Sequence, residues 1–285
     1  MRRLTRGVLA ALVLAAAGAP PATAAELALP RLELGVGVGL LSNPDYSGSS
    51  SVATTVLPVP YFAYRGERIQ LSRDGLVARL FNTPNLRVGV SASATLPGNE
   101  SQDSVRRGMP RLLPTFELGP SLEWHLGDTG GRWDLRLPVR AVAAADLDES
   151  RRIGWLSYPH LRFDQGLLVG TWTVEGAASI GTLWGSREYH RYFYRVAPQY
   201  ATAERPAFDP AGGYSGARAT FFLGLRHKAW RLGLGISHDR LSGAAWRDSP
   251  LVETGRATTV ALGVFYTLWK REWESAPAAA PPAAP

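Results

Sequence analysis

The chain has no cysteine, which excludes a disulfide framework and leaves a hydrogen-bonded fold to hold it together. Charge is sparse: Asp, Glu, Lys and Arg make up 19% of the residues, below the roughly 25% of soluble domains. No run of Lys or Arg marks a nucleic-acid tract, so nucleic acid is not an expected partner. Beyond the N-terminal segment no stretch approaches the roughly 18 consecutive apolar residues of a membrane helix, and no helical stripe stands out. If this chain crosses a membrane, it crosses with strands.

What is present begins with MRRLTRGVLAALVLAAAGAPPATAAE. Arg2, Arg3 and Arg6 precede an apolar run from Val8 to Ala17, and Ala22-Thr23-Ala24 offers small residues for cleavage. This is the layout of a secretory signal peptide, expected over 1–24, with an apolar run too short to span a bilayer. Without those residues, which hold three of the basic side chains and no acid, the formal charge falls from +7 to +4.

Glycine is abundant, 30 residues, and its placement is informative. In RLELGVGVGLL, Leu32, Leu34, Val36, Val38 and Leu40 share one face of a strand, while Glu33, Gly35, Gly37 and Gly39 share the other. Leu86–Leu96 sets Leu86, Val88, Val90, Ala92 and Ala94 against Arg87, Gly89, Ser91, Ser93 and Thr95. Trp230, Leu232, Leu234 and Ile236 alternate with Arg231, Gly233, Gly235 and Ser237. Val260, Leu262, Val264, Tyr266 and Leu268 alternate with small residues, Phe265 excepted. Each run lasts about ten residues, the length of a tilted strand crossing a bilayer.

Twelve such segments are expected, near 31–41, 55–64, 68–73, 76–81, 86–96, 114–126, 133–145, 152–163, 171–183, 216–227, 230–241 and 257–269. Their connections sort by parity. Residues 65–67, 82–85, 127–131, 164–166 and 227–228 form tight turns, whereas 42–54, 97–113, 146–151, 184–215 and 242–256 are mostly long. Asp74-Gly75 alone breaks the alternation. Short turns on one side and long loops on the other are the pattern of periplasmic turns and extracellular loops. Trp124, Trp133, Trp155, Trp172, Trp230 and Trp269 fall near strand ends, where amphipathic rings favour a membrane interface. The expectation is an all-β protein: a transmembrane, antiparallel, up-and-down β-barrel of about twelve strands, bounded by ten and fourteen, over residues 25–271.

The glycine face is then the lumen. The same parity points Glu33, Glu117, Glu123, Asp134, Arg136, Arg140, Arg162, Glu175, Arg218, Arg226 and Arg231 inward. On the lipid side an Arg would cost about 2–4 kcal/mol at mid-bilayer. Mixed signs in a narrow interior point to salt-bridged filling rather than an open channel.

Catalytic patterns are thin. Acyl transfer needs a Ser close to a His base, and Ser237-His238-Asp239 is the nearest candidate, but neighbouring strand residues point to opposite faces. His125, His160, His190, His227 and His238 lack metal-ligand spacing, and no Gly-rich loop precedes a helix to hold a phosphate. Glu117 and Glu123 share a face, as a glycosidase pair would, but Arg neighbours account for them equally well. No cofactor and no catalytic activity are expected.

Five segments carry a family resemblance. Asn43-Pro-Asp-Tyr-Ser-Gly-Ser49, Leu57-Pro-Val-Pro-Tyr61, Arg107-Gly-Met-Pro-Arg-Leu-Leu-Pro-Thr-Phe-Glu-Leu-Gly-Pro120, Tyr192-Phe-Tyr-Arg-Val196 and Asp248-Ser-Pro-Leu-Val252 resemble, in order, the MipA/OmpV family of outer-membrane proteins. The resemblance implies a barrel among outer-membrane lipid and lipopolysaccharide. It also implies a scaffold for a lytic transglycosylase and a peptidoglycan synthase, or a permeability or adhesion protein. Outside the strands, Tyr46, Tyr192, Phe193, Tyr194 and Arg195 are the loop candidates. They suit either a glycan or lipopolysaccharide contact or a loop folded onto the barrel mouth. The Ala/Pro-rich tail, 272–285, lacks bulk for a sheet and is expected to be extended, disordered and periplasmic.

Overall fold

The computed structural model describes residues 30–66, 68–72, 75–97 and 105–272. The expected signal segment and all but the first residue of the tail lie outside the described residues, as does part of the Asp74-Gly75 turn.

Among the described residues the chain forms thirteen antiparallel strands in one sheet. They are β1 (Leu32–Pro44), β2 (Val52–Arg65), β3 (Ile69–Ser72), β4 (Gly75–Asn82), β5 (Leu86–Thr95), β6 (Thr115–Gly127), β7 (Arg132–Ala145), β8 (Ser150–Ser157), β9 (His160–Val169), β10 (Trp172–Gly185), β11 (Gly213–His227), β12 (Trp230–Arg240) and β13 (Arg256–Arg271). β1 pairs with both β2 and β13, so the sheet closes on itself. Closure leaves no edge, which lipid requires because it offers backbone groups no partner.

Two of the thirteen share one place in the wall. β7 pairs with β8 above Val139↔Ser157 and with β9 below Arg136↔His160, while β10 pairs with both on the other side. Tyr158-Pro159 interrupts this stave, and a proline has no N–H for the ladder. The barrel therefore has twelve staves.

This stave corrects the sequence reading twice. The strand expected at 152–163 is broken in the middle, and the turn expected at 164–166 is absent. Asp164, Gln165 and Gly166 instead pair with Ala177, Gly176 and Glu175, and the chain turns at Gly170, whose φ of 62° suits glycine. Turn propensity in Asp-Gln-Gly yields to two neighbouring strands and to Arg162, which binds Asp164 through two bonds of 2.6 and 2.7 Å.

The outer face is apolar and uncovered. Leu34, Val36, Val38, Leu40, Val56, Phe116, Leu118, Ile180 and Phe221 are all exposed. In water that would be an aggregation-prone surface; around a closed barrel it is a lipid belt. Trp124, Trp172, Trp230 and Trp269 stand exposed at the short-turn end, and Trp155 and Trp184 at the loop end. The glycines on the inner face have a physical reason. A Cβ on Gly37 or Gly263 would run into the ring of Phe265, and one on Gly224 would meet Phe222 at 2.9 Å. Small residues make room for two aromatic rings inside the wall.

The loop expected at 184–215 contains structure of its own: α1 (Arg187–Tyr194) and a short 3₁₀ turn at Pro198–Tyr200. Ser186 caps α1 by accepting a hydrogen bond from the Tyr189 amide at 3.2 Å, with Glu188 in the first turn and Arg191 in the last. The best-packed apolar core lies here, above the barrel, not within its wall.

Candidate functional site: a capped, charged lumen

At the short-turn end the centre is Glu33, whose side chain is 1% exposed. It accepts from Arg65 at 2.8 Å, from Tyr61 at 3.3 Å, and from Arg231, which reaches it across β13. Arg231 also donates to Thr267, and its guanidinium lies 5.2 Å from the Tyr61 ring centre. Arg226, on the same end, donates to Thr173 at 3.2 Å. Glu175 faces Gly166 and Gly224 in its ladders.

On β6, Glu123 pairs with Arg87 and lies 3.1 Å from Arg136 and 3.7 Å from Arg132. Asp134, fully buried, takes Arg132 at 2.8 Å and His125 at 3.1 Å. Glu117 accepts from Arg140 at 3.2 Å and from Ser93 at 2.9 Å, and Arg140 also donates to Ser91 at 2.9 Å. Arg162 is held by Asp164.

Near the loop end Arg218 grips Asp239 in a bidentate pair, both bonds 2.7 Å. Asp239, weighed in the sequence only beside Ser237 and His238 as a catalytic candidate, is absent from the charges read as inward, yet it shares parity with Arg231 and Ser237. That parity was the available signal. Ser237 lines the lumen, whereas His238 turns to Thr258 at 2.9 Å, so the two diverge.

The loops converge over this end. Tyr194 stacks on Trp246 with centroids 3.8 Å apart and planes 5° apart, and Tyr46 meets Tyr194 edge-on. Around them pack Leu112, Val196, Leu241 and Leu251. Tyr46 donates to the Leu251 carbonyl at 2.7 Å, and Tyr194 to that of Ser47 at 2.9 Å. Tyr189 of α1 packs on a second cluster of Leu113, Val142, Ala144 and Ile153, and Tyr192 and Phe193 touch both clusters. Tyr192 accepts from the Leu113 amide at 2.7 Å, and Arg106 donates to the Phe193 carbonyl at 2.7 Å. Of the five loop candidates, four aromatics go into this cap and Arg195 alone is exposed.

His190 lies in the cap with no solvent exposure. One ring nitrogen meets the Ala211 carbonyl and the other the Ser215 hydroxyl, both at 2.6 Å. With Nδ1 donating, Nε2 accepts from Ser215, and burial holds the histidine below its ordinary pKa. No acid orients this Ser–His pair; it ties α1 to the start of β11. Local spacing could not reveal it, because its members lie 25 residues apart. Outside, Arg191 and Arg187 hold the Asp209 carboxyl down to about 2. Among the described residues no cluster of three or more His, Asp or Glu could hold a metal.

Among the described residues the lumen holds several cavities, including one of about 580 Å³ at the turn end beside Glu33, Thr173 and Arg226. Another, of about 290 Å³, lies beneath the cap, beside Tyr189, Arg218 and Asp239. A third, about 220 Å³, is lined by Arg79, Arg87, Arg136, Arg140 and Arg162. A fourth, about 570 Å³, adjoins Gly39, Phe222, Ala261 and Phe265.

A closed barrel with a lipid belt, a charged lumen, tight turns at one end and long loops at the other is an outer-membrane β-barrel protein. Residues 36–268 match the family described as MltA-interacting protein MipA, and the chain belongs to that family. It is 26% identical over 215 residues to the outer membrane protein Omp26La of Vibrio anguillarum, and equally to OmpV of Vibrio cholerae. Each match covers 72% of this chain and 76% of the relative. An outer membrane channel from Pseudomonas putida F1 aligns over 85% of this chain and 97% of its own, at 16% identity and a TM-score of 0.44. The protein resides in the cell outer membrane.

Proposed function

We propose that this barrel is a non-catalytic scaffold that holds peptidoglycan-remodelling enzymes, a lytic transglycosylase and a synthase, at its periplasmic face. The cap carries the reading. Stacked aromatics and four converging loops cover the extracellular mouth, and ion pairs line the wall of the lumen below it, so the turn end is the side offered to a partner. The family description, an MltA-interacting protein, supports a partner of the lytic transglycosylase class.

Site-specific photocrosslinking tests this. A crosslinking residue at Thr129 or Lys228, both in short turns, is expected to capture a purified MltA-type transglycosylase, and one at Arg195 on the cap is not. Capture from Arg195 alone, or from none of the three, removes the scaffold reading.

A second reading, a permeability protein, draws on one observation: neighbouring cavities in the lumen share lining residues. Stable single-channel steps in a planar bilayer would favour it.

A further inference from the structure

The outward face of β12 and β13 changes character from the turn end to the loop end. Trp230 stands opposite Tyr266, then Leu232 opposite Val264, Leu234 opposite Leu262 and Ile236 opposite Val260. Above this apolar ladder His238 meets Thr258 at 2.9 Å, and the last outward pair is Arg240 opposite Arg256. Trp230 and Arg240 are separated by about 33 Å of strand, which a tilt of about 40° turns into a rise of about 25 Å. That is the height of a barrel's apolar band, so the two arginines stand where the outer-leaflet head groups begin. The neighbouring strands agree. Ala217 pairs with Arg240 on one side and with Thr182 on the other, two residues from the exposed Trp184.

Both arginines are exposed, and like charges directly opposite in a ladder, with Cβ atoms about 5 Å apart, repel each other. Among the described residues neither side chain makes a hydrogen bond or an ion pair. Arg247, also exposed, brings a third cation: its guanidinium lies against Gly255, the residue before Arg256, with Nη1 3.0 Å from the place a Cβ there would take. The nearby carboxylates are turned elsewhere. Asp239, next to Arg240 in the chain, points inward to Arg218, Glu253 accepts from the Ser50 amide at 3.0 Å, and Asp248 pairs with none of the three arginines. A phosphate matches this corner, because it carries up to two negative charges, accepts from several guanidinium donors at once and lies at head-group depth.

We propose that Arg240, Arg256 and Arg247 form a docking site on the outer wall for a phosphate of lipopolysaccharide in the outer leaflet. The phosphate sits between the opposed arginines and cancels their repulsion, while the acyl chains run down the ladder of Ile236, Val260, Leu234 and Leu262. The inference is independent of the scaffold reading, because it uses the lipid-facing wall at the loop end and no periplasmic turn.

Titration of the full mature chain in detergent with diphosphoryl lipid A, followed by native mass spectrometry, tests it. Saturable binding is expected, at least about tenfold weaker for the same lipid stripped of its phosphates, and not displaced by excess inorganic phosphate. Arg240→Gln combined with Arg256→Gln is expected to weaken binding of the intact lipid about tenfold, and either change alone about threefold, while the barrel keeps its heat-shifted gel mobility. Arg195→Gln, exposed on the cap, is expected to leave binding unchanged. The proposal is overturned by absent binding, by equal binding of the dephosphorylated lipid, by displacement with inorganic phosphate, by wild-type affinity in the double variant, or by a loss as large in Arg195→Gln. If the double variant does not fold, the two single variants decide.

Discussion

The two ends of this barrel are held together by different physics. At the loop end Trp246, Leu241 and Leu251 are 2% exposed or less, and they pack as a soluble core packs. At the turn end the buried centre is a carboxylate, Glu33, held by two arginines and a tyrosine. The division follows from the solvent. The mouth projects into water, where burying rings is favourable. The wall sits in lipid, which gives apolar side chains no reason to turn inward, so the interior is filled by polar groups that satisfy one another.

Breaking the apolar end gives the largest effect. Trp246→Ala removes the stacking partner of Tyr194 from a fully packed site, at about 3–5 kcal/mol. Limited proteolysis is expected to cut the 241–255 loop in the variant and not in wild type, while heat-shifted mobility of the barrel persists. Loss of both together would show that cap and wall are one unit.

Breaking the ionic end comes next. Glu33→Gln strands Arg65 and Arg231, whose side chains are 20% and 11% exposed. Partial exposure brings the cost to about 2–3 kcal/mol, below the 3–5 of a fully buried pair. Urea unfolding in vesicles is expected to shift to a lower midpoint with the cap still protease-resistant.

The smallest effect sharpens the contrast by pH. Burial holds the folded His190 below its ordinary value of 6.5, so the unfolded cap binds the proton more readily. Cap stability is therefore full above pH 6.5 and falls as the pH drops through it, by at most about 1.4 kcal/mol per unit for one proton. Asp209, held down by its two arginines, adds a loss in the same direction as the pH falls from 3.8 toward 2. Protease sensitivity of the cap is expected to rise below pH 6.5 in wild type and to lose that step in His190→Gln. An unchanged profile in the variant would assign the acid response elsewhere.

The wall was legible in the sequence because its rule is local: period two, glycine opposite leucine, short links alternating with long. Tyr158-Pro159 and the Asp164-Gln165-Gly166 segment misled because a proline inside a stave and a turn-like triplet inside a strand are decided by neighbouring strands. The cap was legible only as an aromatic cluster. Ser186 ahead of Glu188 was a readable helix start, but nothing local tells Tyr194 that Trp246 will lie against it. The same limit hid the Ser215–His190 contact.

The cap has a bearing on the order in which the molecule can assemble. The Gly48 carbonyl accepts from the amides of Glu253 and Thr254, and Tyr46 reaches Leu251 across 205 residues of chain. These bonds join the first loop to the last, beside the seam where β1 meets β13. Contacts so distant along the chain form late, after the intervening segments are in place. The mouth can shut only once the newest strand has met the oldest, so a shut mouth is the outward mark of a completed ring.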